Sequence, residues 1–555
     1  MKVSFLLIFI FSLVNAEDLK KKDTLVIGTS QEFESLHPHM MAMGASRYLQ
    51  NMINRPLVTL DAAAKWTAML AAEIPSGKNV SVVKENGILK TKALWKIRTD
   101  ANWSDGKPVI CSDFQYSLEV GKNPNIQIAN KDIFNNIDRI ETFEKKPKEC
   151  YFIYAKKSWN FYQLPDFFPL PSHLDKNYYN STKDSKIGYS NKNIYSIENA
   201  GRAAYSGPFR VIEIKPGSHI VLEQNKFFHR PAYFSKVILK VIPNSNSFES
   251  HIKSGTLDVV APIGITFDQA LDFDKRWTSD RGMNHKVVFK EGTSFEHLSF
   301  NLDHPIFKDI HVREALILSI DRQAIVKNFF SGKQQVAEFY HPRLCRWFPK
   351  NLKKVKTYPY DFKRAEKLLE QAGWKKENDG FRYQNGEKLA FELSTTTGNS
   401  TRENIEVYLK SEWQKLGVDV QIKNYPARTL FGEIAKKRLF KGMIMHAWHV
   451  APETTPYGYL SNSNIPDESN SWSGFNFGGW KSLEWDRFNK NLSQTADLAG
   501  QKTIIEKMLN IYTSELPDIP LYYRVEVAIA PKNLKNFRLA GHTYPETNEI
   551  ENWQY

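Results

Sequence analysis

The chain has 555 residues and a net charge of +14, from 75 Lys and Arg against 61 Asp and Glu. Hydrophobic residues at 41% and charged residues at 25% exclude wholesale disorder. At roughly 150 residues per domain the length implies three or four domains, or fewer large lobes. Three cysteines exclude a disulfide scaffold and a four-cysteine zinc site.

Lys2 opens the chain with a positive charge, and Val3–Val14 (VSFLLIFIFSLV) follows as an apolar run. The run is short of the roughly 20 residues that span a bilayer, and matches the core of a signal peptide. Val14-Asn15-Ala16 supplies the small or modest residues that precede a cleavage site, so cleavage is expected after Ala16. The mature protein is then exported and soluble. Export permits a disulfide, and Cys111 with Cys150 is the pair nearest in sequence; three buried free thiols are the equal alternative.

Thr24–Thr29 (TLVIGT) is expected to be a short strand, and Leu94–Arg98 alternates like a half-buried one. Asn102-Trp103-Ser104-Asp105-Gly106 suits a tight reversal. Ser112 and Gln115 have the spacing of a capping box that opens a helix through Phe114 and Leu118. Asn177–Asn199, rich in Asn, Ser, Lys and Tyr, is expected to be a long loop. Asp361 is placed to cap a helix with Ala365, Leu368, Leu369 and Ala372 inward, stopped by Gly373. Ser400 and Glu403 form a second capping box, whose helix presents Ile405, Tyr408, Leu409 and Leu416 and ends at Gly417. Val418, Val420 and Ile422 then alternate as a strand, which makes an α/β unit. A late helix carries Ile504, Ile505, Met508, Leu509 and Tyr512, and a strand Leu521–Ala530 comes after Pro520.

The local catalytic signatures are missing: no G-x-S-x-G, H-E-x-x-H, C-x-x-C or phosphate-binding G-x-x-x-x-G-K-[ST] occurs. His37-Pro38-His39, near Met40, Met41 and Met43, suggests either a soft-metal site or a structured turn after the first strand. Lys353-Lys354-Val355-Lys356 and Lys436-Lys437-Arg438 are too short and too poor in aromatics for a nucleic-acid surface. No cofactor is implied.

Five segments in order carry a resemblance. They are Trp95–Glu119 (WKIRTDANWSDGKPVICSDFQYSLE), Tyr205–Asn225 (YSGPFRVIEIKPGSHIVLEQN), Asn301–Gly332 with Val312–Leu316 and Ile320-Asp321-Arg322, Tyr360–Trp374, and Leu416-Gly417-Val418. The chain resembles the family 5 extracellular solute-binding proteins, the peptide and nickel receptors of ABC importers. That resemblance implies an α/β, two-lobed type II periplasmic-binding-protein fold with an additional domain on the first lobe. After a signal peptide at 1–16, it divides the chain into first-lobe segments at 17–58, 201–290 and 521–555, an additional domain at 59–200 and a second lobe at 291–520. It also implies a periplasmic, non-enzymatic, monomeric receptor that closes on a peptide or peptide-like ligand and delivers it to a membrane permease.

On the resemblance, the ligand-binding candidates are Met43, Arg47, Arg428, Trp448, His449, Glu453, Asn476 and Tyr523, with Tyr522 the alternative to Tyr523. Many peptide-binding relatives hold the ligand's ammonium with an Asp shortly after the tryptophan. Here Trp448 is followed by His449, Val450 and Ala451, and Glu453 is the nearest acid. Both familiar ammonium anchors are replaced, since Ala42 or Met43 stands where some relatives are acidic. A receptor of the same fold for a metal chelate, opine or sugar-like solute is therefore the second expectation, and an exported hydrolase the third.

Overall fold

The computed structural model describes residues 23–555 apart from 34, 42–43, 127, 129–130, 186–187, 349–354, 427–428, 450–451, 453–459, 471–473 and 496. The signal-peptide segment and its cleavage site lie outside the described residues, as do Met43, Arg428 and Glu453. Thr24–Thr29 is a strand, as expected. It pairs in parallel with Lys236–Val241 on one side and Val259–Val260 on the other. His219–Gln224 and Phe209–Lys215 extend that sheet antiparallel. In the second lobe, Ala390–Ser394 runs parallel to both Asp419–Ile422 and Gly442–His449.

Two long strands, His285–Phe300 and Asp518–Pro531, join the lobes into one eleven-stranded sheet. Their first-lobe halves pair His285–Glu291 with Val525–Pro531, and their second-lobe halves pair Phe295–Ser299 with Asp518–Tyr523. Between Glu291 and Phe295 the register slips, and Gly292 sits there because a Cβ would stand 2.8 Å from the Arg524 carbonyl. The break lies where a bend between lobes is cheapest, since the ladder is already interrupted. Each half of the sheet is buried on its own apolar core. One is built on Leu25, Ile27, Tyr48 and Leu239, the other on Leu298, Leu369, Leu393 and Trp413.

An antiparallel sheet of Val80–Glu85, Ile88–Lys96, Glu149–Tyr154 and Ile137–Thr142 packs separately around Trp95, Phe114, Phe152 and Phe167. Cys111 and Cys150 are disulfide-bonded, tying the helix Cys111–Lys122 to this sheet, which decides between the two readings of the thiols. Cys345 is buried in another core.

Three local expectations need correction. Ser112 and Gln115 do not cap their helix; the Asp113 carboxylate accepts the Ile110 N–H at 3.1 Å and the Trp103 indole N–H at 3.0 Å. Asn399, not Ser400, caps Ser400–Leu416, accepting the Arg402 N–H at 3.1 Å, while Glu403 accepts the Gly398 N–H. The stretch 177–199 is not one loop, because the helix Ser172–Thr182 runs into it. Asp175, in the first turn of that helix, gathers the chain beyond it, accepting the Tyr116 hydroxyl at 2.8 Å, the Tyr189 hydroxyl and the Ile194 N–H at 3.0 Å. The Asp361 cap and the Gly373 and Gly417 stops stand as expected. The return strand is longer than Leu521–Ala530, spanning Asp518–Pro531.

Candidate functional site

The parallel strands of both lobes deliver their carboxyl ends to one crevice, which is where open α/β sheets bind ligands. Pro262–Asp268, after Val259–Val260, faces Gly398–Arg402, after Ala390–Ser394, across a cavity of about 560 Å³. The joining strands floor it with Gly292, Ser294, Tyr522, Arg524 and Glu526. The lobes touch at its rim: the Thr401 hydroxyl donates to Asp268 at 2.7 Å, and Lys333 pairs with Asp274 at 3.0 Å. Phe267 and Phe330 meet edge to face beside them.

The floor is ionic. Glu296 is wholly buried and lies between Arg402 at 2.8 Å and Arg524 at 2.6 Å. Burial works to raise the Glu296 pKa, but the two guanidiniums, Arg524 ahead of Arg402, hold it below the usual carboxylate range. One carboxylate between two guanidiniums leaves one positive charge in excess, on the 40%-exposed Arg524 side chain. That face suits a carboxylate or another planar acceptor.

The second lobe also carries an aromatic wall of its own, separate from this cavity. Phe431, His446, Trp448, Phe475 and Phe477, with Lys436, line a further cavity of about 630 Å³. Trp448 stacks on Phe477 at 5.9 Å and meets Phe475 edge-on at 5.4 Å. Phe475 is exposed, so the wall presents open aromatic surface. Beneath it, the buried His297 and His446 rings lie 4.2 Å apart, and Ser299 shares a hydrogen bond with His446 Nε2 at 3.1 Å. Asp518 hydrogen-bonds to Ser299, not to a histidine, which is the wrong order for nucleophile activation.

The expected site residues divide. Trp448 belongs to the aromatic wall. The backbone of His449 ends its strand opposite Ser294, and its side chain lies outside the described residues. Arg47 is committed elsewhere: it pairs with Asp166 and covers the Tyr544 ring at 5.6 Å. Asn476 is a loop organiser, donating to the Leu460, Ser461 and Trp480 carbonyls and accepting the Trp480 N–H. Tyr523 and its alternative Tyr522 face different surroundings. Adjacent strand residues face opposite ways, and the Tyr523 hydroxyl donates into the core to the Phe339 carbonyl at 2.9 Å while Tyr522 lines the cavity. His37 and His39 form the structured turn: His37 Nε2 meets the Tyr189 hydroxyl at 3.2 Å and His39 Nε2 the Phe168 carbonyl at 3.0 Å. Arg402, Arg524, Glu296 and Glu526 were not among the expected residues. The one local signal for two of them is a charge inside the otherwise apolar run Leu521–Ala530.

Two lobes, a bend in the shared strands and a crevice lined from both sides define a clamp-type binding protein. The chain belongs to the bacterial extracellular solute-binding proteins, family 5, whose model matches residues 90–471. The oligopeptide-binding protein AppA of Bacillus subtilis is 27% identical over 466 residues, 82% of this chain and 80% of that protein. Its structure with a nonapeptide superposes with a TM-score of 0.70 at 24% identity, covering 96% of this chain and 99% of that one. NikZ of Campylobacter jejuni, solved with Ni(L-His), gives a TM-score of 0.72 at 23% identity, covering 96% of this chain and all of that one. The family consists of solute-binding receptors, extracellular or periplasmic, and its likenesses establish the type II fold. Among the described residues no helix is long and apolar enough to cross a membrane.

Proposed function

We propose that this protein is a periplasmic receptor that captures peptides or peptide-like solutes between its lobes and hands them to the permease of an ABC importer. It works as a monomer, performs no chemistry on its ligand, and matures by cleavage after Ala16. Lobe boundaries near 58, 200, 290 and 520 accompany this reading. The observation that carries it is the interlobe crevice with its charged floor at Arg402 and Arg524; the second lobe carries a separate aromatic cavity at Trp448. A peptide offers a terminal carboxylate for the floor, and main-chain hydrogen bonding tolerates varied sequence.

Native mass spectrometry of the mature chain from Glu17, purified without denaturation, tests the reading. Retained ligand is expected as a ladder of masses spaced by amino-acid residues. One discrete non-peptide mass would overturn the peptide assignment in favour of a chelate, opine or sugar-like solute.

A further inference from the structure

The helix Cys111–Lys122 belongs to two cores at once. Phe114 and Leu118 pack with the separate antiparallel sheet, and Tyr116 and Val120 pack with Leu25, Ile27 and Tyr48 of the first lobe. That sheet and the first lobe therefore share one interior and move together. The strand Glu149–Tyr154 of the sheet leads into the segment 156–164, which reaches the second lobe.

The segment is held in shape from its own side. Buried Thr91 fixes Ser158 twice, its hydroxyl accepting the Ser158 N–H at 2.9 Å and donating to the Ser158 carbonyl at 3.1 Å. The Lys157 N–H donates to the Leu89 carbonyl at 2.6 Å, and the Gln163 N–H to the Asn160 carbonyl at 2.9 Å. Phe161 and Tyr162 turn inward onto the sheet's own core, Phe161 against Tyr154 at 5.9 Å and Tyr162 against Trp66 at 5.8 Å. Trp159 turns the other way and packs on the second-lobe core that holds Phe295, Trp485 and Leu492.

This contact is a seam and not a core. Beside Trp159 a gap of about 300 Å³ separates Ile133, Tyr154 and Leu164 from Asn489 and Leu492 of the helix Leu483–Gln494. Protein interiors hold few voids larger than a water molecule. Gln163 Nε2, on the same gap, is buried and completes no hydrogen bond. A junction packed this incompletely separates more readily than a core does. The rim contacts of the crevice are placed differently. Phe267 lies 5.9 Å and Lys333 4.1 Å from the ring of Phe289, on a joining strand, so they sit at the pivot and shift least as the lobes part. Trp159 is on neither joining strand.

We propose that Trp159 is a latch between the separate sheet and the second lobe, so that the clamp is fastened at this seam as well as at its pivot. The latch forms only when the lobes are shut, and so raises the closed population of the empty protein. It gives the separate sheet a part in closure that is independent of which solute is bound.

Small-angle X-ray scattering tests this on the mature chain, stripped of retained solute and checked as empty by native mass spectrometry. Wild type is expected to scatter as the closed form, with the lobes in contact. Trp159→Ala is expected to show a larger radius of gyration with an unchanged far-ultraviolet circular dichroism spectrum. Thr91→Val keeps the shape of its side chain but unmoors Ser158, and is expected to shift the radius in the same direction. Wild type that is already open, or a folded Trp159→Ala that scatters as wild type does, would overturn the latch and leave the receptor reading intact. Should Trp159→Ala not fold, Thr91→Val decides: a folded variant with the wild-type radius overturns the latch.

Discussion

Glu296 shows how much a single buried charge decides in this molecule. It lies on a joining strand, takes Arg402 from a second-lobe helix and Arg524 from the other joining strand, and so ties three elements at the bend. Removing its charge leaves a buried guanidinium at Arg402 without its counter-ion. Glu296→Gln is expected to lower stability by about 3–5 kcal/mol, as for other half-broken buried pairs. Denaturant melts of both proteins measure this, and a loss below about 1 kcal/mol would mean that water replaces the carboxylate. The sequence discloses such residues poorly. Trp448 is identifiable from its motif, but the choice between Tyr522 and Tyr523 depends on which sheet face meets the crevice. Arg402 and Arg524 are 122 positions apart in sequence and share a site only through the fold.

At the scale of elements, periodicity is more informative than caps. The inward faces Ala365–Leu368–Leu369 and Ile405–Leu409–Leu416 are buried as their spacing requires. The caps slip by a residue because several side chains within one turn compete for the same amide groups. At 399–403, Asn399, Ser400 and Glu403 are all able to accept, and Asn399 takes the Arg402 N–H while Glu403 turns back to Gly398. The stretch 177–199 misleads for another reason: its polar composition conceals Tyr189 and Ile194, which the buried carboxylate Asp175 just before it gathers in. Asn399 matters to the site because its helix begins at the crevice, carrying Thr401 and Arg402. Asn399→Ala is expected to cost about 1 kcal/mol, the usual value of an N-cap. It should also loosen the helix start, read as faster amide exchange at Thr401–Glu403 than in Glu406–Leu409. Uniform exchange along the helix would place the cap's effect elsewhere.

For the whole molecule, α/β class and, through the resemblance, lobed organisation are legible in the sequence, while the continuity of one sheet through both lobes is not. That continuity depends on strand pairs as far apart as His285 with Pro531 and Val260 with Ile529. It also buries ionisable groups of both kinds, which sets how stability depends on pH. Five histidines, His37, His39, His297, His341 and His446, are held below their ordinary 6.5 by burial. His39 falls to about 4, and His297 and His341 to about 3. Among the carboxyls that move the other way, again chiefly by burial, four go furthest: Glu406, Asp518 and Glu546 to about 7 and Glu526 to about 8. Between about 4.5 and 6.5 the unfolded chain gains protons on the five histidines while the native chain keeps them on the four carboxyls. These contributions nearly cancel, so stability is flat there. Above 6.5 only the native state still holds these protons, and stability falls as pH rises towards 8. Below 4.5 the unfolded chain binds all nine and the native chain four, so stability falls again as pH drops towards the native histidine values near 3 to 4. Calorimetric melting temperatures at fixed ionic strength should therefore form a plateau between about pH 4.5 and 6.5 with a decline on each side. A melting temperature that rises from pH 6.5 to 8 in ligand-free protein would mean that these carboxyls are already ionised in the native state, and the opposing-burial account would fail.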